Sequence, residues 1–353
     1  MIQIFKNVRI DWLANRRIFI AVSVLLMLAG LASAIIRQAA PGGTDAFNLG
    51  VDFKGGTVLN VKFLKQRPSD DVLRSELSKK GISDAIIQST EKADEVLITV
   101  SRQGSVENGA QEADLSSVEV IQALNTFGAE NDAYQIKSKD AVSEAASKEL
   151  RTKAISVTLA ALIGILVYIA FRFEWTYGAA AVIAVFHDVL VTIGIFSIFQ
   201  WEISLTVIAA LLTLVGFSVN DTIVVFDRIR ENLRLHRRDS LYKVTNDSIN
   251  QTLSRTVITS GLVFLSVLAM VLFGGQVLRG FSLALLIGIV FGTYSSIAIA
   301  SPIMVWWQQR IDAQKARLTQ TPASGRSAGG QQPSRARQAK AGVPNRTQGA
   351  ARS

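Results

Sequence analysis

ISLTVIAALLTLVGFSVNDTIVVF, residues 203–226, decides how this chain must be read. As a helix its 24 residues rise about 36 Å, enough to cross roughly 30 Å of hydrocarbon, and its one ionisable side chain is Asp221. A carboxylate placed in hydrocarbon costs several kcal/mol and is kept where it faces a cavity, a partner or a proton path. The alternative is a buried hydrogen-bonding residue that ties two helices together.

Working outward, further apolar runs at residues 18–36, 155–171, 177–199, 257–273 and 281–307 bring the expected spans to six. The composition agrees, because 49% hydrophobic and 18% charged residues over 353 positions are too apolar for a soluble domain of this length. The expected fold class is a polytopic α-helical membrane protein with six transmembrane helices and one polar domain between the first and second. The expected limits are 1–36 for the N-terminus and first helix, 37–150 for the polar domain, 151–308 for a five-helix bundle with a loop at 227–255, and 309–353 for a disordered basic tail.

Basic residues orient the spans. Lys6, Arg9, Arg16 and Arg17 precede the first span, Arg172 follows the second, and Arg228, Arg230, Arg234, Arg237, Arg238 and Lys243 follow the fourth. Residues 199–203 carry none and 274–280 carry only Arg279. Both termini are therefore expected on the cytoplasmic side, with the large loop outside. That loop holds 13 Lys or Arg against 18 Asp or Glu, so the net +9 of the chain is concentrated on the cytoplasmic side. Such asymmetry follows from topology and anionic lipid, and gives no support to nucleic-acid binding. Ala32-Ser33-Ala34 resembles a signal-peptidase site, but the apolar run continues through Ile35 and Ile36, which favours a retained anchor. The absence of cysteine excludes disulfides and thiolate-bound metals.

The polar domain reads as strands at 57–63, 85–90, 96–101 and 133–138 with helices at 69–80 and 115–127. That β-α-β-β-α-β order predicts an α+β ferredoxin-like sandwich. From Ala141 a helical pattern runs without a breaker into the second span, which would couple domain and membrane mechanically. Gly50-Val51-Asp52-Phe53-Lys54-Gly55-Gly56-Thr57 is expected to be a turn feeding the first strand, with no helix start that could hold a phosphate.

Other ionisable residues rank behind Asp221. Arg255, at the boundary of the fifth span, is its natural counter-charge, or equally a snorkelling boundary arginine. His187 and Asp188 are adjacent in the third span, so about 100° of helix turn should keep them from serving one site, and His187 reads equally as a satisfied core histidine. Asp227, Arg228, Arg230 and Glu231 are expected to form a solvated turn. Ala284, Gly288, Gly292, Ser296 and Ala300 recur every fourth position in the sixth span, a stripe that lets helix backbones approach closely.

The Gly50–Thr57 motif after one span, Asn220-Asp221-Thr222 with Arg230-Glu231-Asn232, Thr252-Leu253-Ser254-Arg255-Thr256 and Gly292-Thr293-Tyr294-Ser295-Ser296 together resemble the SecF family of protein-export subunits. The resemblance runs from residue 1 to about 308. It implies pairing with SecD in a bundle like that of the resistance-nodulation-division transporters, and work beside the SecYEG channel with SecA and YajC on a translocating preprotein. It implies protons as the coupling ion, no other cofactor, and no catalysis. By position it assigns proton relay to Asp221 and Arg255, with Asn220 as the neighbour in that motif; Asp188 and His187 remain further candidates on the residues alone. Lys54 stands where a smaller polar residue is usual in the family.

Two other classes are weighed against it. Half of a proton-coupled small-molecule transporter would also lack its second half in this chain. An aspartyl protease would need Asp188 and Asp221 to share one site, and Asp221 lacks the flanking glycines expected of an active aspartate.

Overall fold

The computed structural model describes residues 9–39, 45–82, 85–90, 92–100 and 109–319. In chain order its elements are α1 (Arg16–Ala39), α2 (Val51–Lys54), β1 (Gly56–Phe63), α3 (Asp70–Lys79), β2 (Ile86–Ser89), β3 (Glu95–Val100), α4 (Gly109–Leu124), β4 (Tyr134–Val142), α5 (Glu144–Arg172), α6 (Trp175–Phe199), α7 (Leu205–Leu235), α8 (Leu241–Phe273), α9 (Gly275–Ser295) and α10 (Ser301–Thr319). Among the described residues, six helical stretches are long and apolar enough to cross a membrane: α1, α5, α6, α7, α8, and α9 with its continuation. The chain is a multi-pass membrane protein.

The domain between α1 and α5 is one antiparallel sheet in the order β2-β3-β1-β4, the ferredoxin-like arrangement expected from the element order. Leu59, Val61 and Phe63 alternate along β1 and pack with Val96 and Ile98 of β3, Leu73 and Leu77 of α3, and Val120 and Leu124 of α4. Period-two burial on the strands and period-3.6 burial on the helices meet in that layer. Ser69 caps α3 by accepting the Val72 N–H at 3.4 Å.

The junctions depart from expectation in three places. Residues 50–57 are not a bare turn: Val51–Lys54 forms one helical turn, and Gly55 and Gly56 at φ 75° and 128° redirect the chain into β1 in conformations only glycine adopts without strain. α5 begins at Glu144 rather than Ala141, because β4 pairs with β1 through Val142 and Ser143 then caps the helix. The expected loop at 227–255 is almost entirely helical. At 31 and 33 residues α7 and α8 exceed the hydrocarbon thickness, and only residues 236–240 connect them.

Within the bundle, α1 and α6 meet backbone to backbone. A Cβ built on Gly30 would lie 2.5 Å from the Gly194 Cα, so the contact requires glycine. The small-residue stripe does pack tightly: Gly288 sits on Leu214 and Gly292 on Ser218 of α7. Between α9 and α10 the helix widens to a π segment at Ser296–Ala300, where Ser301 Oγ donates to the Ser296 carbonyl at 3.0 Å. Pro302 follows, and it has no N–H to return to the carbonyl four residues back. The helix then continues through Thr319, so residues 309–319 are not the start of a structureless tail; residues 320–353 lie outside the described residues.

Burial is uneven. Half of the apolar windows of α6 and α7 is buried within the chain, against 6% for α5 and 17% for α8. The latter two present most of their surface to lipid or to a partner.

Candidate functional site

Two buried carboxylates lie where α6, α7, α8 and α9 converge. Asp221, 3% exposed on α7, accepts through Oδ2 from Ser260 Oγ of α8 at 2.9 Å and from Thr293 Oγ1 of α9 at 3.4 Å. Asp188, 1% exposed on α6, accepts through the same kind of oxygen from Ser218 Oγ of α7 at 2.5 Å and Ser295 Oγ of α9 at 2.8 Å. Its other oxygen faces His187 Nδ1 at 2.9 Å.

The adjacent pair at 187–188 was expected to diverge, and it does not. Neighbouring Cα atoms are only about 3.8 Å apart, so a flat imidazole leaning along the helix reaches the next carboxylate despite the turn between them. An Nδ1–H donated to Asp188 leaves Nε2 as the ring's other polar atom, buried with no hydrogen-bond partner among the described residues.

α7 and α9 each serve both carboxylates. Ser218 precedes Asp221 by three residues, so α7 supplies a donor to one site and the acid of the other. Thr293 and Ser295 lie about 200° apart around α9 and reach one carboxylate each. Ser218, Ser260, Thr293 and Ser295 were not singled out from sequence as site residues. Thr293 and Ser295 do sit in the quoted 292–296 motif, and Ser218 lies in the 203–226 stretch three residues before Asp221; Ser260 had no local signal.

Arg255 is exposed and makes no direct ion pair with Asp221. Its charge nevertheless acts on the Asp221 carboxylate, so the two sit within electrostatic reach without direct contact. Asn220 is also exposed, on the outer face of α7 beside Gly164 and Tyr168 of α5. The charged stretch after Asp221 is a helix surface rather than a turn. Arg172 pairs with Asp227, Arg228 Nη1 reaches Glu231 at 2.6 Å, and buried Asn232 donates to Ser248 Oγ at 2.8 Å and Gln251 Oε1 at 2.9 Å. Asn232 thus pins the ends of α7 and α8 together.

The family model for the C-terminal part of the SecD/SecF protein export membrane proteins matches residues 122–310, and the SecD/SecF GG motif matches residues 43–63. The protein translocase subunit SecF of Koribacter versatilis is 39% identical over 87% of this chain and 94% of its own length. The chain belongs to the SecF family of protein translocase subunits. The SecF subunit of Escherichia coli O157:H7 is 41% identical over 74% of this chain and 79% of the relative. The crystal structure of SecDF from Thermus thermophilus, a translocon-associated membrane protein, superposes with a TM-score of 0.73 at 37% identity, covering 86% of this chain and 39% of that one. The chain thus spans about two fifths of that longer protein. A super-membrane-facing form of SecDF gives a TM-score of 0.61 over 89% of this chain. The family places Asp221, Ser218 and the 292–296 motif inside the matched C-terminal region, and α2 inside the GG motif.

Proposed function

We propose that this chain pairs with a SecD-like half and uses the proton gradient to drive late steps of preprotein translocation through the SecYEG channel, with SecA and YajC in the wider assembly. The observation that carries the reading is Asp221, a membrane-embedded carboxylate whose one oxygen holds hydroxyls from two other helices. Taking up a proton changes the charge and the donor capacity of that oxygen, which biases the placement of α8 and α9 against α7. Asp221 is the proton carrier, and Ser260 and Thr293 position it. Arg255, at the start of the fifth span on α8, is its counter-charge, acting without direct contact. The chain carries no catalytic chemistry and no cofactor, and protons are the coupling ion.

Exposed polar groups within the spans support a partner half. Asn220 would face hydrocarbon if the chain were alone, a costly arrangement that a second bundle relieves. Lys and Arg enrichment puts both termini in the cytoplasm and the sheet domain in the periplasm. α5 runs without interruption from Ser143, at the end of β4, through the second span, so a shift among the spans reaches the domain through one rigid rod.

The test is Asp221→Asn in inverted membrane vesicles. The complex should assemble, and gradient-dependent late translocation should be lost. Wild-type late translocation in that variant would overturn the proposal.

A further inference from the structure

The GG motif segment is fastened to the turn between α6 and α7, at the opposite end of α7 from Asn232. Asn48 Nδ2 donates to the Gln200 carbonyl at 3.0 Å. Ile203 N–H donates to the Asn48 carbonyl at 2.8 Å, and Gly50 N–H donates to the Ile203 carbonyl at 2.9 Å. Asp52 Oδ2 then accepts the Leu205 N–H at 2.9 Å, so a side chain from the polar domain's entry segment caps the first turn of α7. The Glu202 carboxylate lies against Gly50 so closely that a Cβ there would come within 2.5 Å of Oε1. Glu202 also shares a small cavity with Lys54, and with Gln88 and Thr99 of the sheet. Turn, α2 and sheet therefore meet at one joint.

We propose that this joint is a proton-sensitive clasp, in which Asp52 and Glu202 are positioning residues that lock the sheet domain onto the start of α7, the helix that carries Asp221. The inference rests on the proposed proton-driven function and assigns the place where motion in α7 is handed to the domain.

The clasp carries its own dependence on pH. Burial, and then the nearby Asp52 carboxylate, raise the Glu202 carboxyl above the usual glutamate range. The charged groups around it are Asp52 and Lys54 of α2, with Lys54 already paired to Asp45. Released into water, Glu202 returns to its ordinary value. The closed clasp therefore binds the proton more tightly than the open one, and acid favours closure. The closing contribution is complete below the ordinary glutamate range and is lost as pH rises through the raised value. On the proton-rich side of an energised membrane, the clasp closes.

The sequence contains no cysteine, so two introduced cysteines are unique in the chain. Spin labels at exposed Ser78→Cys on α3 and Val277→Cys on α9 report domain against bundle, in the complex with a cysteine-free SecD-like partner in nanodiscs. The expected result is one narrow distance population at pH 5 and a second, shifted population at pH 8. Glu202→Gln should hold the narrow population at both values, since the neutral amide keeps the shape without the charge. Asp52→Ala should show the shifted population at both. Hydrogen exchange at the Gly50, Ile203 and Leu205 amides gives a second readout, with slower exchange at pH 5 than intrinsic rates predict and loss of that excess protection at pH 8. Distances and protection independent of pH in the parent, or a pH response unchanged in Glu202→Gln, would overturn the clasp. Neither readout needs export, so a failed clasp beside an inactive Asp221→Asn would leave the proton-driven reading standing.

Discussion

Asp188 and Asp221 are both buried carboxylates on neighbouring spans, yet they are held in different ways. Asp188 is gripped through both oxygens, by two serines from other helices and by its own neighbour His187, at 2.5 to 2.9 Å. Asp221 is held through one oxygen, with one bond of 2.9 Å and one of 3.4 Å, and one of its two donors sits on α8, which buries little of its surface within the chain. A carboxylate gripped through both oxygens by short bonds resists movement more than one held through a single oxygen, even though His187 leaves its Nε2 without a partner among the described residues. The comparison assigns Asp188 to holding α6, α7 and α9 together and Asp221 to switching.

The assignment can be broken in steps of decreasing size. Asp188→Leu leaves Ser218 Oγ and His187 Nδ1 without an acceptor and Ser295 Oγ with only the Gly292 carbonyl, and should lower stability by about 3 kcal/mol, read as a fall in the thermal midpoint of the purified complex. An Asp188→Leu protein as stable as the parent would remove the structural role. Ser295→Ala deletes one short bond to the Asp188 carboxyl and should cost about 1.5 kcal/mol, with gradient-driven export per folded molecule unchanged. Ser260→Ala reverses that pattern, with about 1 kcal/mol of stability lost and a severalfold slower gradient-driven step in a vesicle assay. Equal export defects in the two serine variants would collapse the distinction. Thr293→Val, at the long 3.4 Å contact, should change stability by less than about 0.5 kcal/mol, and a larger loss would show that Asp221 is held more firmly than its geometry indicates.

Most of the architecture was legible in the sequence, and the reasons are physical. Spans are forced by hydrocarbon thickness, so apolar runs located all six, and strand and helix periods located the four strands of the sheet with their order. Where water takes over, the same signal fails. Beyond residue 226 polar residues no longer distinguish a loop from a helix that has left the bilayer, so the extensions of α7 and α8, fixed by Asn232 and its partners, were read as loop. The site was half legible. Asp221 stood out because an acid in an apolar run is rare, and Asp188 was noticed for the same reason. Their hydroxyl partners were not, since serine and threonine pass unremarked in spans and which ones meet a carboxylate depends on helix rotation. His187 meeting Asp188 depended on a side-chain lean that angular spacing ignores. Arg255 was singled out by its charge, and that charge does act on Asp221, although the two make no direct contact in this arrangement.

The central claim is that Asp221 is a switch rather than a strut, and Asp221→Asn separates the two. Asparagine keeps a carbonyl oxygen for Ser260 and Thr293, so the helix contacts survive while the titration does not. The expected Asp221→Asn complex assembles with a thermal midpoint near the parent's and shows no acceleration of late translocation when a proton gradient is imposed. Gradient-driven acceleration equal to the parent's in a stably assembled Asp221→Asn complex would contradict the claim.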